Sequence, residues 1–375
     1  MKFLFALVLS TVLLAQERRP IEQLIESTRS NDPDTQIQAT DGIIDHYLPG
    51  YLKTGLSAML NKASTSVKGK FTDVNTQVID YWVQVRPDAV EAVARLTSGG
   101  GSFLSRANAA RALGILRAKS ALPQLGEALK SRDSGVLYES LIAMQKIREP
   151  ESAKLFLHLI GDLDERVQTT AMETAGVLGA KPAAPAIQEA LGKARNSKVK
   201  RVAVTSLAMI ADPASRGVFE QYFNDKDDSL RGSAAEGFGR MRIPADKARI
   251  DQAYLTERKT GPRLSLAFAS ALLGRREFAQ GSPISYLIDN LDSRFFHDTA
   301  QPFLIELTRD AEVRKSIYPA IQTANRKEKV RLAQVLAISG DRETLKVLET
   351  LSVDPDTEVA AEGMKAVKTL KARLG

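Results

Sequence analysis

The chain has 375 residues, of which 43% are hydrophobic and 26% are charged, and its formal net charge is +7. This composition excludes a globally disordered chain, which would be poorer in apolar residues. The absence of cysteine from the sequence excludes disulfides, thiolate metal sites, cysteine nucleophiles and a lipidated N-terminal cysteine. Aromatic residues make up only 6% of the chain, which favours closely packed helices over a β-sandwich.

The first fifteen residues differ in kind from the rest of the chain. Met1 and Lys2 give a short basic start, and residues 3–15 are apolar except for Ser10 and Thr11. This run is too short to span a bilayer core about 30 Å thick, but it has the length of the apolar region of a secretory signal. We therefore predict a signal peptide over residues 1–15 and a periplasmic or secreted protein with no transmembrane segment in the mature chain. An uncleaved anchor or a buried first helix is the alternative.

Residues 16–73 are helical in pattern but irregular in spacing. Apolar periodicity predicts helices over residues 21–29, 34–47 and 50–62, and a polar stretch then leads to Val74. The end units of a repeat protein must present a polar outer face to water. We therefore predict a degenerate capping repeat here.

From Val74 to the C-terminus, one pattern recurs about every 31 residues. In the clear copies that begin at Ser105 and Val167, small or apolar residues follow at positions four, five, seven, eight and eleven, with glycine at nine. The other starts are Val74, Val136, Val199, Leu230, Pro262, Phe295, Val330 and Val359. This spacing lies along one face of a helix, here called helix A, and a fixed period in this range is typical of a solenoid.

Each predicted helix A has its own start and stop signals. A helix-capping residue stands three positions before most starts: Ser102, Asp133, Asp164, Asn196, Asp227, Asp292 and Asp356. Proline follows helix A in five copies and suits the first turn of a second, antiparallel helix B: Pro87, Pro150, Pro182, Pro213 and Pro244. The sequence therefore predicts an all-α fold, an α-solenoid or superhelix of about nine stacked antiparallel helix pairs over residues 74–375, with a helical N-terminal cap at residues 16–73.

The cap, the Val-Arg start, the run Ala-Ala-x-Ala-Leu-Gly-x-Leu and the proline of helix B together resemble the HEAT repeat. The match is best over residues 105–129 and 167–191. The short bacterial form of the repeat, also seen in phycobiliprotein-lyase-like proteins, is the most similar. The resemblance implies the solenoid fold for about 300 residues. It implies little about function, because one fold can serve scaffolds, adaptors, nucleic-acid binders and lyases.

No group of residues has the spacing of a catalytic or metal site. The histidines, His46, His158 and His297, lie far apart in the sequence and lack the paired spacing of zinc ligands. Three Asp-x-Asp pairs fall where caps belong, so capping explains them better than calcium. These pairs are Asp162 with Asp164, Asp225 with Asp227 and Asp354 with Asp356. We predict a protein that is not an enzyme and has no catalytic residue, cofactor or metal.

Two further features have both a structural and a functional interpretation. The single tryptophan, Trp82, stands eight positions after Val74, where other copies carry core residues, so core packing is favoured over a ligand cage. Gly237-Phe238-Gly239 begins like a dinucleotide fingerprint but lies within a predicted helix A, so helix packing is expected.

Basic residues cluster in alternate turns between one helix B and the next helix A. These turns recur at one edge of the solenoid, but acidic turns at residues 162–165 and 225–228 lie between them. The candidate partner-binding residues are Lys198, Lys200, Arg201, Arg258, Lys259, Arg263, Arg326, Lys327, Lys329 and Arg331. Because a duplex-binding surface needs continuous positive charge, an ordinary solvated edge is favoured over a polyanion site.

The predicted function is that of a non-enzymatic scaffold or adaptor. It would act in the periplasm or outside the cell and bind a protein through a concave face lined mainly by helix B. Polyanion or nucleic-acid binding through the basic edge is the alternative, and export would remove nucleic acid as an ordinary partner. A lyase-like enzyme or accessory factor, suggested by the resemblance alone, is the third interpretation.

Overall fold

A computed structural model of the protein describes residues 19–52 and 77–375. Within these residues the chain forms α-helices, short 3-10 helices and turns, and no strand. No helix in these two ranges has the length and apolar character needed to cross a membrane. The predicted signal peptide, most of the predicted helix at residues 50–62 and the predicted repeat start at Val74 lie outside the described residues.

The α-helices, in chain order, are α1 (Ile21–Ser27), α2 (Pro33–Tyr47), α3 (Pro87–Gly99), α4 (Phe103–Ile115), α5 (Leu122–Ala128), α6 (Ser134–Ile147), α7 (Glu165–Val177), α8 (Ala184–Lys193), α9 (Ser197–Ile210), α10 (Arg216–Tyr222), α11 (Asp228–Met241), α12 (Lys247–Thr256), α13 (Thr260–Leu272), α14 (Pro283–Asp289), α15 (His297–Leu307), α16 (Ala311–Ser316), α17 (Tyr318–Thr323), α18 (Arg326–Ser339), α19 (Thr344–Leu351) and α20 (Thr357–Leu374). The 3-10 helices are Lys119–Ala121, Pro150–Leu155, Leu157–Gly161, Lys181–Ala183, Pro213–Ser215 and Pro244–Asp246.

The helices form two layers, which confirms the predicted α-solenoid. The layer of helices A contains α2, α4, α6, α7, α9, α11, α13, α15, α18 and α20, and each of these packs on the next. The layer of helices B contains the shorter helices between them. The helix B predicted to begin at Pro150 is formed by two successive 3-10 helices, Pro150–Leu155 and Leu157–Gly161, rather than an α-helix.

Capping side chains start most of the helices A. Six predicted caps are confirmed, because their side chains accept hydrogen bonds from the first turn: Ser102, Asp133, Asp164, Asn196, Asp227 and Asp356. Asp292 is not a cap, and its Oδ1 lies 2.8 Å from Nζ of Lys327 instead.

Two predicted repeat starts are displaced from the true register. Phe295, predicted at a core position, is 81% exposed, because α15 begins only two residues later. Asn325 caps α18 in a capping box with Glu328, so that repeat starts at Glu328 rather than Val330. Glu328 stands 31 residues before Val359, and this correction restores the regular period at the C-terminal end.

The helix A predicted for the first repeat is wrong over the residues that the structure describes. Residues 77–86, the described part of its predicted helix A, form no helix. Instead, α2 packs directly on α4 and is the first helix A, with α3 as its helix B. Val83 and Val85 favour extended structure, and the residue before Pro87 is restricted to it. The described residues 48–52 and 77–86 therefore belong to an insertion between the two helices of the first repeat.

Small residues let the helices A pack with their backbones in contact. A Cβ atom on Gly239 of α11 would lie 2.5 Å from Cα of Ala269 in α13, and one on Gly114 of α4 would lie 2.6 Å from Cα of Ala143 in α6. These distances leave no room for a side chain. The packing role predicted for the Gly237-Phe238-Gly239 motif is confirmed.

Six consecutive helices A end in a residue with left-handed backbone geometry. Two of these residues are glycines, Gly179 and Gly274, and the others are Arg117, Arg148, Ala211 and Arg242, with φ between 50° and 61°. Left-handed geometry costs a residue that has a Cβ roughly 1 kcal/mol. The arginines at this position place positive charge at the negative end of the helix dipole.

An ion pair spans two repeats of the layer of helices A. Arg240 of α11 donates hydrogen bonds of 2.9 Å to both carboxylate oxygens of Glu306 in α15, although α13 lies between these two helices. The concave face lined mainly by helix B stays a prediction.

Candidate partner-binding surface

The predicted basic residues lie at the N-terminal edge, defined here as the turns that precede the helices A. Five of the ten form ion pairs with an adjacent repeat: Lys198 with Glu165 at 3.0 Å, Arg201 with Asp227 at 2.6 Å, Arg326 with Glu358 at 3.4 Å, Lys327 with Asp292 at 2.8 Å, and Lys329 with Asp354 at 2.8 Å. Basic turns thus pair with the acidic turns of the repeats before and after them. The alternating basic and acidic turns of the sequence therefore form a series of ion pairs between repeats, here called the charge ladder.

The ladder stabilises the ionised form of its carboxylates. The hydrogen bond from Lys198 lowers the pKa of Glu165, and the hydrogen bond from Arg201 lowers the pKa of Asp227. Lys329 lowers the pKa of Asp354 in the same way. Because opposite charges near one another favour their charged forms, the edge is close to neutral over much of its length.

The other five predicted residues do not form a continuous basic surface. Arg263 lies between two rings, with Cζ 5.2 Å from the ring centroid of Tyr254 and 4.6 Å from that of Tyr286. Arg331 donates a 3.0 Å hydrogen bond to Gln301. The side chains of Lys200, Arg258 and Lys259 make no contact of this kind within residues 19–52 and 77–375. The structure therefore does not bring the ten residues together as one cationic site.

The same edge exposes large apolar side chains that the sequence pattern did not reveal. Their exposed fractions are 54% for Phe103, 68% for Leu104, 103% for Leu163, 81% for Phe295 and 78% for Val353. They escaped prediction because Leu163 and Val353 lie in turns, and Phe103 and Leu104 lie at the first two positions of α4, before the periodic positions begin. Phe295 was assigned to the core. Exposed aromatic residues are enriched at protein-binding surfaces, so these side chains are candidates for contact with a partner.

The insertion crosses the opposite edge, where the helices A end. The backbone N–H of Ile79 donates a 3.0 Å hydrogen bond to the carbonyl of Ile115 in α4, and the side chain of Ile79 is buried in the main core. Trp82 does not occupy its predicted core position. Its half-buried ring lies 4.0 Å from Nζ of Lys368 in α20, so the insertion of the first repeat contacts the last helix.

Cationic side chains from both ends of the solenoid surround this contact. Cζ of Arg117 lies 4.4 Å from the ring centroid of Tyr81. Arg373 donates a 2.9 Å hydrogen bond to the carbonyl of Ala337. Burial lowers the pKa of Arg373, the phenol of Tyr81 opposes this shift, and the charge of Arg309 adds to it. These residues form the closure cluster: Tyr81, Trp82, Arg117, Arg309, Lys368 and Arg373.

The Asp-x-Asp pairs act as caps. The N–H of Asp164 donates a 2.8 Å hydrogen bond to Asp162, while Asp164 accepts bonds of 2.8 Å and 3.1 Å from Arg166 and Val167. In the part of the chain that the structure describes, no three histidine, aspartate or glutamate side chains are placed to hold a metal ion.

The regular layers agree with a comparison of the sequence with protein families. Residues 90–176 and 154–239 match a family model described as HEAT repeats. Residues 90–239 of this chain are HEAT repeats. No curated protein matches the chain.

Three solved structures are similar to the chain at low identity. An engineered protein is 17% identical, with a TM-score of 0.42, over 94% of this chain and 98% of its own. The complex of CpcE and CpcF of phycocyanin lyase from Nostoc sp. PCC7120 is 18% identical, with a TM-score of 0.40, over 72% of this chain and 92% of that chain. Importin beta is 12% identical, with a TM-score of 0.39, over 94% of this chain and 52% of its own.

Proposed function

We propose that this protein is a non-catalytic scaffold that binds another protein and acts in the periplasm or outside the cell. The partner contacts the N-terminal edge, and the observation that carries this assignment is the row of exposed apolar side chains there. A protein partner can bury exposed apolar side chains when it binds, whereas a polyanion binds through its charges and gains nothing from contact with them.

The charge ladder supports the same choice. Its lysines and arginines are paired with carboxylates of neighbouring repeats, so few phosphates of a nucleic acid would find an available cation. A polar rim with paired charges around apolar anchors is the usual arrangement at protein interfaces. Polyanion binding through the basic edge is therefore the weaker proposal.

A capture experiment with matched variants tests the binding surface. The full chain without residues 1–15 is immobilised and exposed to an envelope extract. We expect Leu163→Asp combined with Phe295→Asp to abolish capture, because both side chains are exposed at the edge. The control is Leu255→Asp in α12, a helix B residue that is 66% exposed. Equal capture by the double variant and the wild type would refute the surface.

Export is tested by the N-terminus of the protein. Expression of the full chain in a bacterium, followed by fractionation and N-terminal sequencing, should give a periplasmic or secreted form that begins at Gln16. Recovery of the chain from the cytoplasm with Met1 retained would refute the proposed location.

A further inference from the structure

We propose that the partner binds the N-terminal edge through an acidic segment, and that this segment occupies the junction between α13 and α15. The inference rests on the proposed function and deepens it, since it assigns a position on the edge and a chemistry to the bound segment. The site consists of Arg258 and Lys259 in the turn before α13, and of Arg294 and Phe295 in the turn before α15.

The charge ladder is interrupted at this junction. Ion pairs join successive repeats from α7 to α13 and again from α15 to α20. Between α11 and α13, Nε of Arg231 lies 2.7 Å from Oε2 of Glu257, and between α15 and α18, Nζ of Lys327 lies 2.8 Å from Oδ1 of Asp292. Within residues 19–52 and 77–375, no ion pair joins the turn before α13 to the turn before α15. The carboxylates of these two turns therefore pair with the outer neighbours, α11 and α18, and the ladder is open between them.

Three cations are left without a carboxylate at the open junction. The side chains of Arg258, Lys259 and Arg294 are exposed, and none of them forms an ion pair within the described part of the chain. The two turns lie in contact, because a Cβ atom on Gly261 would lie 4.0 Å from Cε1 of Phe296. Like charges in adjacent turns disfavour one another, and a bound carboxylate relieves this repulsion.

Phe295 adds an apolar surface beside these charges. Its ring is 81% exposed, and Cζ of Arg294 lies 6.0 Å from the ring centroid. A guanidinium beside an aromatic ring keeps N–H groups available to a carboxylate. An apolar side chain of the partner can cover the ring while the carboxylates on either side of it reach the cations. The site therefore fits a short acidic segment that carries a large apolar residue.

The geometry favours an acidic peptide over a nucleic acid. A nucleic acid that runs along the edge needs cations for successive phosphates. On both sides of the open junction, however, the ladder already pairs its cations with carboxylates. Single strands also stack successive bases on several rings, whereas Phe295 offers one exposed ring and Phe296 beside it packs against the main core. A segment that ends within one junction matches the site in size.

The test uses the full chain without residues 1–15 and a fluorescein-labelled peptide in which one leucine is flanked on each side by two glutamates. Binding is followed by fluorescence anisotropy at low salt. We expect Arg258→Gln with Lys259→Gln to weaken binding about fivefold, because two exposed charge contacts are lost. The matched control, Arg195→Gln with Lys226→Gln, removes two exposed cations from junctions that hold an ion pair. It should change the affinity by less than about twofold.

A second peptide, with alanine in place of leucine, tests the apolar contact. Phe295→Ala should weaken binding of the leucine peptide about threefold, because the leucine loses the ring that it covers. The same variant should leave the affinity for the alanine peptide unchanged. Equal weakening of both peptides would show that the ring does not contact the apolar residue and would overturn this part of the site.

Three outcomes would overturn the inference as a whole. They are no binding of the leucine peptide to the wild type, equal weakening by the two double variants, and tighter binding of a single-stranded oligonucleotide of the same charge. Circular dichroism of each variant separates loss of binding from loss of fold.

The capture experiment separates this inference from the proposed function. If Leu163→Asp with Phe295→Asp abolishes capture while Arg258→Gln with Lys259→Gln changes neither capture nor peptide binding, the edge binds the partner and the acidic segment is wrong. If the peptide binds as expected and the double aspartate variant captures as much protein as the wild type, the proposed function fails instead.

Discussion

The close contact between α11 and α13 at Gly239 predicts that a larger side chain there lowers the free energy of unfolding. Gly239→Ala places a methyl group 2.5 Å from Cα and 2.7 Å from Cβ of Ala269. Carbon atoms prefer a separation of about 3.5–4.0 Å, so α11 and α13 must move apart by roughly 1 Å. Overpacking of this kind costs about 1–3 kcal/mol, and backbone atoms cannot rotate away as a side chain can. Because the contact is with backbone atoms, we take the upper end of that range, about 3 kcal/mol. Alanine returns about 1 kcal/mol of helix propensity, so we expect a net loss of about 2 kcal/mol.

The control is the same substitution at a glycine with free space around it. Gly217 of α10 has no atom within 4 Å of the position its Cβ would take. Gly217→Ala should therefore stabilise the fold by about 0.5 kcal/mol, through propensity alone. Urea unfolding is followed by circular dichroism and by Trp82 emission, and coincident curves justify a two-state comparison. If Gly239→Ala is as stable as the wild type, small residues do not set the distance between helices A.

Three other predictions concern backbone geometry, buried charge and pH. Ala211→Gly should raise the free energy of unfolding by about 0.5 kcal/mol, since it relieves a left-handed alanine, and an unchanged urea midpoint would contradict this. Arg240→Leu should lower it by about 3 kcal/mol, because Glu236 and Glu306 lose their buried partner; a loss below 1 kcal/mol in urea unfolding would show that the triad is dispensable. The pKa of Asp227 is lowered in the folded protein from its unfolded value of 3.8, so the ionised side chain stabilises the fold above pH 3.8 and this contribution is lost as the pH falls below that value. The free energy of unfolding of Asp227→Asn should therefore decrease less steeply as the pH is lowered. An identical pH dependence in both proteins would refute that role.

Local signals were sufficient to predict most of the fold. Caps such as Asp164, prolines such as Pro213 and close-packing glycines such as Gly239 each act within a few residues or on the next layer. Their spacing therefore appears directly in the sequence. Asn325 is a capping residue of the same kind, and it marks the start of α18.

The errors arose where distant parts of the chain determine the structure. Trp82 fits the repeat spacing by coincidence, while α2 takes the place of the first helix A because of its packing on α4. The closure cluster combines residues from the insertion, from α20 and from turns between them, so no local pattern could reveal it.

The contact between Trp82 and Lys368 has a consequence for the order in which the protein assembles. Every other layer can form as soon as its neighbour has been synthesised, because its contacts are local and local contacts form quickly. The insertion of the first repeat, however, contacts α20, which is synthesised long after it. The insertion therefore makes this contact only after α20 has formed, and a chain truncated before α20 would keep the layers but lose the partner of Trp82.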